Sequence, residues 1–124
     1  MITIAVTGIG SEQIAHLAEQ AAAGQVQTTR GSDFDAALAV KSGTADFYIG
    51  ACQTGAGGAL GVATALLGAN KVARLTGPNA TDPPALAALL AGGTRAFGLA
   101  HTHIDVVVPA LVQSMLHFVP SNQG

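Results

Sequence analysis

Residues 45–71, ADFYIGACQTGAGGALGVATALLGANK, decide the fold. Phe47, Tyr48 and Ile49 favour an extended chain, and the run ends at Cys52, the only cysteine. Glycines at 55, 57 and 58 then form a turn, and the small and apolar residues from roughly 57 to 67 read as a helix stopped at Gly68. A strand that feeds such a turn aims backbone N–H groups outward, with the positive end of the next helix behind them. Gly55, Gly57 and Gly58 allow a ligand to approach the main chain closely, so Gln53, Thr54, Gly55, Ala56, Gly57 and Gly58 form a predicted anion or ligand loop. Thr54 adds a hydroxyl to it. Tight packing of the helix on its sheet would ask for the same small residues. Cys52 also has two readings. Beside a helix start its thiol is expected to ionise more readily and to react, yet a lone cysteine is equally a small buried hydrophobe.

The same strand–turn–helix unit repeats on either side. ITIAV is a first strand, followed by Gly8, Gly10 and a helix capped near Ser11. Ile14, Leu17, Ala18 and Ala21 share one face of that helix, and Gly24 closes it. QVQTT is a second strand. Ser32 caps the next helix with Asp35 at the capping-box position, carrying Phe34, Ala37 and Leu38 inward as far as Gly43. KVARLT is a fourth strand after 45–51, and Asp82 caps a helix that opens with Pro83 and Pro84. RAFGLA is a fifth strand, and HTHIDVVVPALVQSMLHFV is the last helix, which must begin just before Pro109 or kink there. Residues 1–119 thus read as one α/β domain and 120–124 as a polar tail. Five alternating units predict a five-stranded parallel sheet in a three-layer α/β/α sandwich, Rossmann-like or flavodoxin-like. Ligands of such sheets bind at the carboxyl ends of the strands. That rule gathers 8–11, 30–32, 52–58, 76–82 and 101–103 at one edge.

Composition narrows the function. The chain has 124 residues, 49% of them hydrophobic and 10% charged, enough for one core and too apolar for disorder. Aromatic residues make up 4%, without tryptophan, and the net charge is −2, so nucleic acid is a poor partner. A single cysteine fits a reducing compartment. The first ten residues lack the basic start of a signal peptide, and the bland stretch ALGVATALLGA is about half of a membrane span of about 20 residues. The expected location is the cytoplasm, and no cofactor or metal is expected.

The remaining candidates sit at the same edge. Gly8-Ile9-Gly10 begins like a dinucleotide fingerprint, but Gln13 stands where the third glycine would be, and no acidic residue closes the second strand. The safer expectation is a tight turn at Gly8, Gly10 and Ser11 that admits a ligand edge. His101 and His103 flank Thr102; either could be an acid, a base or an anion donor in the cleft, while Thr102 with Asp105 could equally form a capping box. Arg30 ends the second strand within reach of an anion, and Lys71 is expected at the opposite end of the sheet.

The stretches VKSGTADFYIGACQTGAGGAL, Asn70–Lys71 and AFGLAHTHID resemble a bacterial YhfU-like family of unknown function over nearly the whole chain. That resemblance implies a genomic setting among membrane-transport and metabolic-enzyme genes. The central stretch is also similar, more distantly, to type B ribose-5-phosphate isomerases and galactose-6-phosphate isomerase subunits. The matching positions are Asp46, Cys52, Thr54, Gly55, Gly57, Asn70 and Lys71. The likeness implies that Cys52 is the base moving a proton between C1 and C2, that Thr54 assists ring opening, and that the Gly55–Gly57 amides stabilise the enediolate. It also implies a homodimer whose sites use both subunits. Four departures stand against it: Gln53 replaces the first glycine of the motif, an N-terminal Asp-His element is missing, Thr76-Gly77-Pro78 replaces a histidine, and the basic C-terminal segment is absent.

Two functions follow as expectations. One is an isomerase of sugar-phosphate type. The other is a transport-associated or regulatory component that binds a small anionic metabolite without turnover, with a membrane transport protein as partner. A phosphocysteine carrier is a variant of the second, set back because carriers of that type place the cysteine after the first strand. The apolar end LHFV of the last helix is expected to offer a surface for a homodimer.

Overall fold

The computed structural model describes the backbone of residues 1–53 and 58–123 and, apart from 58, 59, 79 and 120–123, their side chains. Strands β1 (Ile2–Gly8), β2 (Val26–Arg30), β3 (Phe47–Cys52), β4 (Val72–Arg74) and β5 (Ala96–Ala100) form one parallel sheet in the order β2-β1-β3-β5-β4. Helices α1 (Ser11–Ala22), α2 (Asp33–Ser42), α3 (Gly58–Leu67), α4 (Pro83–Ala91) and α5 (Ile104–Gln123) cover it. The three-layer α/β/α sandwich read from the sequence is therefore the observed fold. Helix α1 packs on α5, and α5 on α4; α2 packs on α3.

Alternation along each strand divides the core in two. Ile4, Val6, Phe47, Ile49, Phe97 and Leu99 point to the α1, α4 and α5 layer, where they meet Ile14, Leu86, Leu90, Leu111 and Met115. Ala5, Tyr48 and Ala96 point to the α2 and α3 layer and meet Ala36, Ala37 and Ala63. Helix α5 is long and apolar enough to cross a membrane, but Val107, Val108, Leu111, Val112 and Met115 belong to the buried core.

Several local readings need correction. Gly10, in the left-handed region at φ 74°, caps α1 without any side-chain bond, and Ser11 is already helical. The left-handed exit of that helix begins at Ala23 (φ 46°), one residue before Gly24. Phe34 and Leu38 do not point inward: they are 55% and 44% exposed, and the alanines of α2 face the sheet instead. Small residues there let the helix sit close to its neighbours, which leaves no room for larger ones. Ser32 does cap α2, its hydroxyl accepting from the Asp35 N–H at 3.1 Å, and Asp82 caps α4 by accepting from the Ala85 N–H at 3.1 Å. Helix α5 runs through Pro109 from Ile104, after a 3₁₀ turn at His101–His103. It continues to Gln123, because the polar residues after Val119 end its apolar face without ending its backbone.

Candidate functional site

The order β2-β1-β3-β5-β4 reverses direction between β1 and β3, since the chain leaves β1 first to one side and then to the other. In parallel sheets a crevice opens at the carboxyl ends of the strands at such a switch. Here those ends are Gly8 and Cys52. Gly8 pairs with Ala51, and Cys52 pairs with Ala100, the residue before His101. With neighbouring strands about 4.8 Å apart, the turn after β1, the cysteine and the turn after β5 stand side by side. The first turns of α1, α2, α3 and α5 follow at the same edge.

The glycines of the first turn have structural reasons as well. Gly8 is at φ +87°, and a Cβ there would lie 2.1 Å from the Ala51 carbonyl oxygen. The close approach lets the Ile9 N–H donate to that same oxygen at 3.0 Å, which extends the β1–β3 ladder by one residue. At Gly10 a Cβ would lie 2.8 Å from the Ile104 side chain, so α5 closes on this turn. A hollow of about 520 Å³ beside it is lined by Gly10, Glu12, Gln13 and His16.

Cys52 is half-buried, Gln53 is exposed, and Gly58 begins α3. Thr54, Gly55, Ala56 and Gly57, the centre of the predicted anion loop, lie outside the described residues. His101 and His103 are exposed, and Asp105 accepts from the Gln13 side-chain amide, tying α5 to α1. Asp105 is thus engaged across helices, in place of the expected box with Thr102. The Arg30 guanidinium lies 3.7 Å from Glu12 at the rim, with both side chains largely in solvent. Among the described residues no three His, Cys, Asp or Glu side chains come together as a metal site would require.

A polar chain beneath this edge was not expected from the sequence. Tyr48 is fully buried; its hydroxyl accepts from the Thr7 hydroxyl at 3.2 Å and donates to Asp33 Oδ1 at 3.1 Å. Burial, reinforced by the nearby Asp33 charge, pushes the Tyr48 hydroxyl well above the ordinary tyrosine range. By strand alternation Tyr48, Gly50 and Cys52 share one face of β3, as Ala5 and Thr7 share that face of β1. Tyr48 lies opposite Ala5 and Ala96, whose methyl groups leave space for its ring to run toward the start of α2. The available signal was the single tyrosine of the chain inside an apolar strand, since a buried phenol needs a partner.

At the amino edge, Asp46 accepts from the Thr3 N–H at 2.9 Å and its own N–H donates to the Thr3 carbonyl at 2.8 Å. The acidic residue leading into β3 thus locks two strands together, far from the crevice. Lys71 is at this opposite end, as expected, in a hollow with Lys41 and Asp46. At the end of α5, Leu116, Phe118 and Val119 are partly buried against the core, and Phe118 lies under the Arg95 guanidinium at 5.0 Å.

The solved structures most informative about this shape are two type B ribose 5-phosphate isomerases. The enzyme from Trypanosoma brucei superposes with a TM-score of 0.71 at 16% identity, covering 93% of this chain and 85% of that one. The one from Giardia lamblia gives 0.67 at 17% identity, with 94% of each chain covered. At these identities the likeness establishes a shared fold. In sequence, the uncharacterized protein YhfU of Escherichia coli K12 is 40% identical over 117 residues, 93% of this chain and 99% of its own. The counterpart in Shigella flexneri is similar to the same degree. The family described as protein of unknown function DUF2620 matches residues 2–115. The chain belongs to that family.

Proposed function

We propose that this protein binds a small anionic, sugar-phosphate-like metabolite at the carboxyl edge between β1, β3 and β5, over the loop from Cys52 to Gly58, and that it acts as an aldose–ketose isomerase. The observation that carries the reading is the register: Gly8 beside Ala51, and Cys52 beside Ala100. The fold shared with sugar-phosphate isomerases supports it. In this mechanism the Cys52 thiolate takes the proton from the carbon next to the carbonyl. Negative charge passes to the carbonyl oxygen, which accepts hydrogen bonds from the backbone N–H groups of Gly55 to Gly57. The thiol then returns the proton to the neighbouring carbon. Thr54 assists ring opening, His101 moves the hydroxyl proton, and Gly10, Ser11, Arg30 and His103 border the anion. Solvent exchange into phosphorylated aldoses, followed by NMR, tests the reaction. Cys52→Ala should abolish exchange while leaving the fold intact, and no exchange by the natural protein across a panel of such sugars would remove the catalytic half of the proposal.

A second reading keeps the pocket without the reaction. Gln53 is exposed where the isomerase motif has a glycine, and Arg30 is held beside Glu12. Both features suit a transport-associated or regulatory component that holds its anion without turnover. Ligand-induced thermal stabilisation without exchange, and co-purification with a membrane transport protein, would favour it. A homodimer in the cytoplasm fits either reading, since Ile9, Phe34, Leu38 and Val106 are exposed apolar residues. Sedimentation as a monomer would count against the dimer.

A further inference from the structure

The end of β1 carries Thr7 and Gly8 and no acidic residue. A carboxylate reaches the same neighbourhood by another route. Asp33, the first residue of α2, is two hydrogen bonds from Thr7, through a tyrosine hydroxyl that receives one at 3.2 Å and gives the other at 3.1 Å. Thr7, Tyr48 and Cys52 lie on one face of the sheet by alternation, and α2 and α3 cover that face. The phenol spends its single proton on Asp33 Oδ1, so Oδ2 remains an acceptor with no partner among the described residues. Asp33 itself is half-buried.

We infer that Asp33, held in place by Tyr48, is a specificity-determining residue that accepts hydrogen bonds from hydroxyl groups of the ligand, and that the ligand is therefore a phosphorylated polyol or sugar rather than a bare anion. The inference rests on the proposed anion site and adds a second recognition element to it. A carboxylate repels phosphate and attracts hydroxyl donors, so in an anion-binding site it sorts ligands by what they carry in addition to charge. Tyr48 is a positioning residue in this arrangement. Its ring, packed among alanines, fixes where the carboxylate stands.

The test compares ribose 5-phosphate with inorganic phosphate by calorimetric titration. The natural protein should bind the sugar phosphate more tightly. Asp33→Asn is nearly isosteric and should remove at least about tenfold of that preference, with phosphate affinity unchanged or improved. Tyr48→Phe should move the preference in the same direction by a smaller factor, and Asp33→Glu should recover part of it. Such a change in selectivity is not produced by a carboxylate that only stabilises the start of α2. If Asp33→Asn weakens both ligands alike, or neither, the inference falls and the anion site stands. If the natural protein binds neither compound, the site and the inference fall together.

Discussion

One face of the sheet is filled by large side chains and the other by small ones. Ile4, Val6, Phe47, Ile49, Phe97 and Leu99 interlock with α1, α4 and α5, whereas on the α2 and α3 side Tyr48 is the one large side chain among the fully buried described residues, set among Ala5, Ala36, Ala37, Ala63 and Ala96, with Val40, Val62, Leu66, Leu67 and Val72 partly buried around them. Burial of apolar surface scales with side-chain size, so the first face supplies most of the stability. The second brings helices close, and closeness is useful where backbone N–H groups and short polar side chains must converge. Gly98 shows how close: a Cβ there would lie 2.7 Å from the Leu60 side chain. The proposed chemistry sits on the thin face, and the thick face holds it up.

This contrast can be broken in order of expected effect. Phe97→Ala opens a cavity in the thick face and should cost about 3–5 kcal/mol by chemical denaturation. Gly98→Val overfills the thin face and should cost about 1–3 kcal/mol; adding Leu60→Ala should return part of that loss. If the double substitution is no better than the single one, α3 is not packed as tightly as described. Tyr48→Phe should cost about 1–2 kcal/mol at neutral pH by depriving Thr7 and Asp33 of their partner.

The same substitution has a signature in pH. The Tyr48 hydroxyl titrates higher in the folded protein than in the unfolded chain, chiefly because burial disfavours its anion. A raised value means that the folded state keeps its proton longer. The stabilisation is therefore complete below about pH 10 and is lost as pH climbs above it. Denaturation midpoints across the alkaline range should fall for the natural protein and fall less for Tyr48→Phe. At the small end, Arg30→Gln should change stability by no more than about 0.5 kcal/mol, because its ion pair with Glu12 is exposed. A larger loss would mean that the rim, and not only the two faces, carries structural weight.

The β–α alternation was legible because each unit is punctuated by residues with local consequences, such as Ser32, Asp82 and Gly43. The carboxyl-edge location of Cys52 followed from that alternation alone. The orientation of α2 did not. Its inner face is made of alanines, so Phe34 and Leu38 outweigh them in any reading by hydrophobicity while pointing to solvent. Tyr48 was placed correctly in its strand, but the β-propensity that explains its presence there hides the question of what its hydroxyl bonds to. Asp33 and Thr7 are 26 residues apart in sequence, and only the sheet and α2 together bring them to one phenol. Strand order was equally out of reach, since pairing partners are chosen by contacts distant along the chain.

The position of β5 between β3 and β4 has a consequence for biosynthesis. Until residues 96–100 leave the ribosome, β3 has one neighbour and β4 has none. The growing chain must therefore wait with an open edge and an orphan strand, and one late insertion joins the halves. Nascent chains halted before residue 96 should be sensitive to proteases and prone to pair with one another, and protection should arrive in a single step once β5 slots in.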